Sequence, residues 1–462
     1  MDTKTSRVEG IEREHKSEDC REPRCEICKL KRPFRLPPDI VSACQKGNLV
    51  IFAGAGVSTE SRGVYPSTFY QWIKKELGLS EQERTSFPKL MTLYSSPPRS
   101  RKDLLLAIKR RIDYVKEFPD LYTQATEFHK ELSTIPHLDE IFTTNWDDFF
   151  ETECSATPVV TGEDFAVVQD ISGRKVFKLH GSIYNYGSIV ATEQDYRRCY
   201  RRLSTGIIGA NLKMLLMSKT LVFFGFSFED EDFLRLYRLL SKDTAELVPR
   251  SYVVTLEKHA KEKLASLHIN ATPINTGAAF FIQRLKKKLV EIKFMLPDQR
   301  YNGIEEAHDS LTLEHYKLAS LGLVKHPDSV YSLFYQDGLL HAFERLEATK
   351  NSGENSCGTH MINVIKSYDV LIKRCLHEGN YPDVAYFTGY QVGLIYFLLN
   401  DKNRRAIPMY FLFGGEKIVN LDQYVKLEEK ASKMHKSAHE AARKMISKIN
   451  PEGLVLQHKP FI

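Results

Sequence analysis

An α/β fold with a mostly parallel sheet, followed by an all-α region, is the architecture this 462-residue sequence predicts. Three observations carry it. Short apolar runs without alternation recur between residues 37 and 296, as expected of parallel strands buried on both faces. Stretches with apolar residues at helical spacing separate those runs. After Pro297 the strand-like runs largely disappear and helical periodicity takes over.

The elements follow in order. Residues 1–36 are dense in charge and poor in apolar side chains, so they form an extension without a core of its own. Within it, "HKSEDCREPRCEIC" sets His15, Cys20, Cys25 and Cys28 close enough to supply four ligands to one tetrahedral zinc, the last two at knuckle spacing. The competing reading is a set of solvent-facing thiols, since only one Cys-x-x-Cys pair is present. Strands are expected at "LVIFAG" (49–54), "EIFTTN" (140–145), "KVFKLHG" (175–181), "TLVFFGFS" (220–227) and "SYVVTL" (251–256). Helical spacing marks 69–77 and 101–118, and the basic run "RLKKKLVEIK" reads as the solvated face of the helix that closes this domain. Helices are then expected at 311–321, 329–349, 361–377, 386–399 and 427–449, with "KNSGENSCG" as a loop. This helical half, 297–462, holds no constellation that suggests chemistry and reads as an assembly or regulatory domain.

Bulk properties narrow the function. With 42% hydrophobic and 27% charged residues the chain is an ordinary globular protein. A net charge of +6 is small for this length and its charges are interleaved, so nucleic-acid binding is allowed but not demanded. The densest basic stretch, "DYRRCYRRLS", reads as arginines on a solvated helix, and direct nucleic-acid contact is not expected. No secretory leader is expected in the charged first forty residues. The most apolar run, "VGLIYFLLN", is far short of a membrane span, and no membrane contact is expected. Eight cysteines without such a leader point to free thiols in a reducing, cytoplasmic setting.

The strand ends carry the chemistry. In "LVIFAGAGVSTE", Gly54 and Gly56 after a buried strand lack side chains that would hold backbone N–H groups away from a phosphate, and Ser58 or Thr59 is placed to open a helix. Alone this loop is weak evidence, because a dehydrogenase-type fingerprint wants a third glycine where Thr59 stands. The other ends add to it: "TTNWDD" brings Asn145 and Asp147, "KLHGS" brings His180, and "GFSFED" brings Gly225 and Ser227. In an open α/β sheet these endings converge on one ligand site.

That ordered set resembles the sirtuin family, in which a GAG-x-S loop, a T-x-N-x-D segment, an H-G dipeptide and a G-[TF]-S strand end surround an NAD site on a Rossmann-like sheet. The resemblance covers about 260 residues. It implies that Ala53, Gly54, Gly56 and Ser58 line the pyrophosphate pocket. It also implies that Asn145 and Asp147 face the nicotinamide and its ribose, that His180 is the general base, and that Gly225 with Ser227 holds the adenosine half. For Asp147, capping the helix that begins "WDDFF" competes with the ligand role.

The departures narrow the branch. Deacylating sirtuins follow the catalytic His with two Cys-x-x-Cys pairs in a zinc module that helps form the acyl-lysine cleft, whereas here "HGSIYNYGSIVATEQDYRRCYRRL" contains only Cys199. The G-[IL]-P-D-F-R stretch is replaced by "RGVYPSTFYQWI". A short H-G segment followed by Asp195-Tyr196 resembles the sirtuin-like domains of prokaryotic anti-phage defence, which hydrolyse NAD to ADP-ribose and nicotinamide. Deacylation, ADP-ribosyl transfer and nucleotide sensing without turnover are the alternatives. In the hydrolytic reading Asn145 orients water or the ribose hydroxyls, and His180, with an ordinary pKa near ~6.5, accepts a proton. An unregulated NADase would kill its host. Repression is therefore expected through the helical half, through homo-oligomer assembly, or through a partner such as a helicase-type ATPase or an Argonaute-like protein.

Overall fold

The computed structural model describes residues 30–407 apart from 62, 81, 169, 172, 227–250, 321, 323–328, 405 and 406. Ser227, His15, Cys20, Cys25, Cys28 and the expected helix at 427–449 lie outside the described residues. The chain divides into two compact units, Met1–Leu132 with His137–Lys287, and Ser133–Pro136 with Lys288–Ile462.

The first unit is built on one seven-stranded, all-parallel sheet: β1 (Leu49–Ala53), β2 (Glu140–Thr143), β3 (Thr157–Val159), β4 (Lys175–Lys178), β5 (Thr220–Phe224), β6 (Ser251–Thr255) and β7 (Ala271–Asn275), in the order β3-β4-β2-β1-β5-β6-β7. The five central strands are the five that the sequence predicts. Every residue of β1 and β6 is buried, which is why neither alternates. The sequence reading missed the two outer strands, β3 and β7. Each carries a proline, Pro158 and Pro273, which cannot donate to a ladder and is tolerated at an edge.

Register aligns one phenylalanine from each of four central strands, β4, β2, β1 and β5. Phe177 pairs with Phe142, Phe142 with Phe52, and Phe52 with Phe223. Their rings follow one another at 4.5, 5.3 and 5.1 Å between centroids, a row of phenylalanines laid across four strands. On the opposite face Phe224 packs on Phe128 and Phe281. Neighbouring aromatic pairs of this kind contribute roughly 0.2–1 kcal/mol each and fix the register.

Helices cover both faces: α1 (Pro38–Gln45), α2 (Phe69–Glu76), α3 (Phe87–Tyr94), α4 (Arg101–Glu117), α5 (Pro119–Ser133), α6 (Phe149–Cys154), α7 (Gly162–Val168), α8 (Glu193–Thr205), α9 (Ile207–Ser218), α10 (Ala260–Ser266) and α11 (Ala278–Glu291). Sequence-encoded caps start two of those near the site. Thr68 and Gln71 form a capping box on α2, and Thr192 and Asp195 form another on α8.

The second unit is helical throughout its described residues: α12 (Ile304–Ala319), α13 (Ser329–Ala348), α14 (Gly358–Glu378), α15 (Tyr381–Leu398) and the short α16 (Asp401–Arg404). Its core gathers Leu339, Phe343, Leu346, Met361, Ala385, Ile395 and Phe397. Helices α13 and α15 touch backbone to backbone. A Cβ on Gly389 would lie 1.9 Å from the Tyr335 carbonyl oxygen, and one on Gly338 would lie 2.0 Å from that of Tyr386. No described helix is long and apolar enough to cross a membrane.

Candidate active site

The strand order reverses direction between β1 and β5. From β1 the sheet extends to one side through β2, β4 and β3, and the chain then crosses to the other side of β1 as β5. A crevice beyond the carboxyl ends at such a reversal is where open α/β sheets bind ligands. The loop after β1 and the loop after β5 meet there through glycine. The Gly54 N–H donates to the Phe224 carbonyl at 2.8 Å, and the Gly56 N–H donates to that of Gly225 at 3.0 Å. A Cβ on Gly54 or on Gly56 would stand 2.8 Å from the Gly225 oxygen, and one on Gly225, whose φ is +68°, would stand 2.6 Å from the Val57 nitrogen. These glycines interlock two backbones. Their first physical role is this join, and the two N–H groups expected to face a phosphate are already spent on it.

The helix expected to open at Ser58 or Thr59 is instead a 3-10 turn over Ala55–Val57 that ends at Ser58. Fully buried, the Ser58 hydroxyl donates to the Asp147 carboxylate and accepts from the Thr59 N–H at 2.5 Å. Asp147 also accepts the Phe149 N–H at 3.3 Å at the start of α6, so the capping role that competed with the ligand role is present. Burial raises the Asp147 carboxyl above its ordinary range, opposed by the nearby Lys178 and by the Ser58 hydroxyl.

Asn145 follows β2. Its N–H donates to Thr143 Oγ1 at 3.0 Å, and that hydroxyl donates to the Ala53 carbonyl at 2.9 Å, tying the β2 end to β1. Its side-chain amide is buried, and neither Oδ1 nor Nδ2 has a partner among the described residues. Buried amides are nearly always hydrogen-bonded, so an unpaired one at a strand end marks a place where a ligand or water supplies the bonds.

His180 follows β4. Its ring is buried and meets Tyr196 of α8 edge to face at 5.1 Å. Gly181 at φ +85° turns the chain so tightly that a Cβ there would overlap the Ser188 carbonyl. The Val190 N–H then returns to the His180 carbonyl at 2.9 Å. Burial first, and the Arg202 guanidinium second, push the imidazole down to about 3, far below the ordinary value expected from sequence. It is therefore neutral at physiological pH.

The basic stretch of α8 is largely engaged locally. Arg198 pairs with Asp195 at 3.2 Å, Arg197 bonds the Glu193 carbonyl at 3.4 Å, and Arg202 bonds that of Leu179 at 3.4 Å, beside His180. Asp195 also holds Arg101 at 2.6 Å. Cys199 is buried with its Sγ against the Leu179 carbonyl, and no metal-ligating cluster exists among the described residues.

Sequence reasoning missed Lys178, although "KVFK" shows a lysine inside an otherwise apolar strand. The side chain is wholly buried, and its ammonium bonds the Asp147 carbonyl and, at 2.9 Å, Glu151. A charged residue at the end of a buried strand was the available signal.

Two buried histidines give this unit a measurable pH response. Burial pushes His129, packed between Phe149 and Phe150, down to about 3, as it does His180. Between pH 7 and 5 the unfolded chain takes up these protons and the native chain does not, so stability is full above the unfolded value near ~6.5 and declines as pH falls. Removing one such group should remove its share of the decline. His129→Phe should lose about 2 kcal/mol less stability than the native protein over that interval. Urea melts at pH 7 and pH 5 measure the difference, and parallel changes in both proteins would refute the buried-neutral assignment.

Comparison with known proteins agrees with this geometry. Residues 139–274 match the model of the SIR2-like domain. The chain is 30% identical over 204 residues to the NAD(+) hydrolase ThsA of Enterococcus faecium, an alignment covering 43% of this chain and 40% of that protein. It is 29% identical over 199 residues to the protein of that name from Cytobacillus dafuensis, covering 42% and 38%. To the defense-associated sirtuin 2 of Bacillus subtilis it is 21% identical over 277 residues, covering 58% and 25%. The chain thus spans about two fifths of the length of the ThsA relatives it matches. Residues 139–274 of the α/β unit carry a SIR2-like domain, and it is over this region and its surroundings that the chain is similar to these relatives.

Proposed function

We propose that the α/β unit hydrolyses NAD to ADP-ribose and nicotinamide as a defence effector. The observation that carries this reading is the Asn145 amide, buried at the strand-order reversal with both polar ends unpaired among the described residues. The NAD(+) hydrolase relatives support the choice of substrate and reaction. Cleavage of the nicotinamide–ribose bond passes through an oxocarbenium-like state, and the site must hold the ribose while a nucleophile approaches. Asn145 orients water or the ribose hydroxyls, and neutral His180 accepts the proton released as water adds to the anomeric carbon. Ala53, Gly54, Gly56 and Ser58 shape the floor beneath the pyrophosphate, and Gly225 with Ser227 borders the adenosine half. Asp147 acts on the nicotinamide side chiefly by holding the Ser58 turn. Water is the nucleophile because residues 181–192 join β4 to α8 directly, with no Cys-x-x-Cys module to build an acyl-lysine cleft.

The same reading makes residues 37–296 the catalytic domain and 297–462 an assembly or regulatory domain. It places the protein in the cytoplasm as a homo-oligomer, held inactive until phage infection or a partner such as a helicase-type ATPase or Argonaute-like protein releases it. A zinc at His15, Cys20, Cys25 and Cys28 rests on ligand spacing alone.

The test is product analysis with NAD under conditions that activate the protein, in the presence and absence of an acetylated peptide. Nicotinamide and ADP-ribose should form in equal amounts at a rate the peptide does not change. Loss of the peptide's acetyl group in step with nicotinamide release would replace hydrolysis by deacylation.

A further inference from the structure

Lys178 has no part in the chemistry above, yet it occupies a costly position. A buried ammonium must be paired and hydrogen-bonded to be tolerated, and a buried ion pair is by itself weak evidence of a stabilising role. The partners of Lys178 show a different use. Its Nζ donates to the main-chain carbonyl of Asp147 and, at 2.9 Å, to Glu151 Oε1, both on the segment that leaves β2. The Asp147 carboxylate receives the Ser58 hydroxyl from the loop after β1. One ammonium on β4 thus gathers the β2 turn and, through Asp147, the β1 turn.

Asn145 sits inside this clamp. Because its amide has no hydrogen-bond partner among the described residues, its direction depends on how its backbone is held within the packing around it. That backbone is held before the side chain by Thr143 Oγ1 on the Asn145 N–H, and after it by the Ile183 N–H on the Trp146 carbonyl at 2.8 Å and by Lys178 on the Asp147 carbonyl. We infer that Lys178 is a positioning residue: by fixing the Asp147 carbonyl it sets the direction of the Asn145 amide toward the ligand. The inference rests on the hydrolytic reading for its kinetic consequence but not for its structural one.

The experiment separates positioning from mere stabilisation with two variants. Lys178→Met combined with Glu151→Leu removes both buried charges at similar volume, so that neither is left unpaired. Glu151→Gln breaks the ion pair but leaves Lys178 its bond to the Asp147 carbonyl. In the double variant NAD should bind within about threefold of the native affinity while kcat falls about a hundredfold, the penalty of a displaced positioning group. Its crystal structure should show the Asn145 amide displaced. Glu151→Gln should keep kcat within about threefold, whatever it loses in melting temperature. Equal losses of kcat in the two variants would make the ion pair a structural element and overturn the inference, as would a double variant whose residues 145–147 superpose on the native chain. An activated native protein that failed to cleave NAD would sink the hydrolytic reading alone, because the crystal structures would still decide where Lys178 directs Asn145.

Discussion

Asn145→Ala and His180→Ala should each remove NAD hydrolysis, by about a hundredfold to ten-thousandfold in kcat, from a protein that still folds and still binds NAD. The two losses have different physical sources. Asn145 makes no side-chain hydrogen bond with the described residues, so its removal strands no buried partner and should leave the melting temperature unchanged or raised. Removal of His180 takes away the proposed proton acceptor and also the ring against Tyr196, so a modest fall in stability should accompany the loss of turnover. Groups that act on one transition state lose activity non-additively, and the double variant should be little worse than either single one. Nicotinamide release, measured under conditions where the native protein turns over, checks both variants. Wild-type turnover by His180→Ala would end the general-base assignment. The protein's acid limb should also lie well below pH 6.5, because burial holds the free imidazole near about 3.

The largest expected effect on stability lies in the helical unit. Gly338→Val and Gly389→Val should each unfold it, at a cost of several kcal/mol, because neither helix can yield without losing the other's packing. At these two positions the missing side chain is where the facing helix's carbonyl oxygen sits, 2.0 and 1.9 Å from where a Cβ would be. A third close approach, Gly393 against the Ala342 methyl at 2.5 Å, extends the contact along α15. Gly379→Ala is the control. It stands at φ +72° with nothing within 4 Å, so the change should cost only the left-handed strain of about 1–2 kcal/mol. Helical circular dichroism during a thermal melt distinguishes the outcomes, and a Gly389→Val protein that melts like the native one would refute the contact.

The five central strands were legible because burial on both faces removes alternation and leaves an unmistakable apolar run. Pro158 and Pro273 hid the outer strands, since a proline argues against a strand until the edge position that permits it is known. Asn145 and His180 were legible as strand-end residues, but their states were not. The neutral imidazole is a product of burial beside Tyr196 and Arg202, on the helix that follows, and the unpaired amide of burial at the strand end. The glycines carry a structural reason that the sequence did not show. Gly54, Gly56 and Gly225 invite a ligand argument when viewed one loop at a time, while their mutual contact spans some 170 residues of sequence and leaves no local pattern. Lys178 was in plain view, yet its partners Asp147 and Glu151 belong to another strand's turn.

The glycine join bears on how a sequence motif of this kind should be interpreted. Since Gly54, Gly56 and Gly225 exclude one another's side chains, drift at any of them breaks the seam between two strands before it touches a ligand. A descendant that had lost Asn145, and with it all turnover, would remain under pressure to keep the three glycines for as long as the domain had to stay folded. A GAG loop facing a strand-end glycine accordingly reports architecture, and on this geometry it should persist in working enzymes and silent copies alike. The asparagine and the histidine, which the fold can spare, are the positions whose retention separates the two.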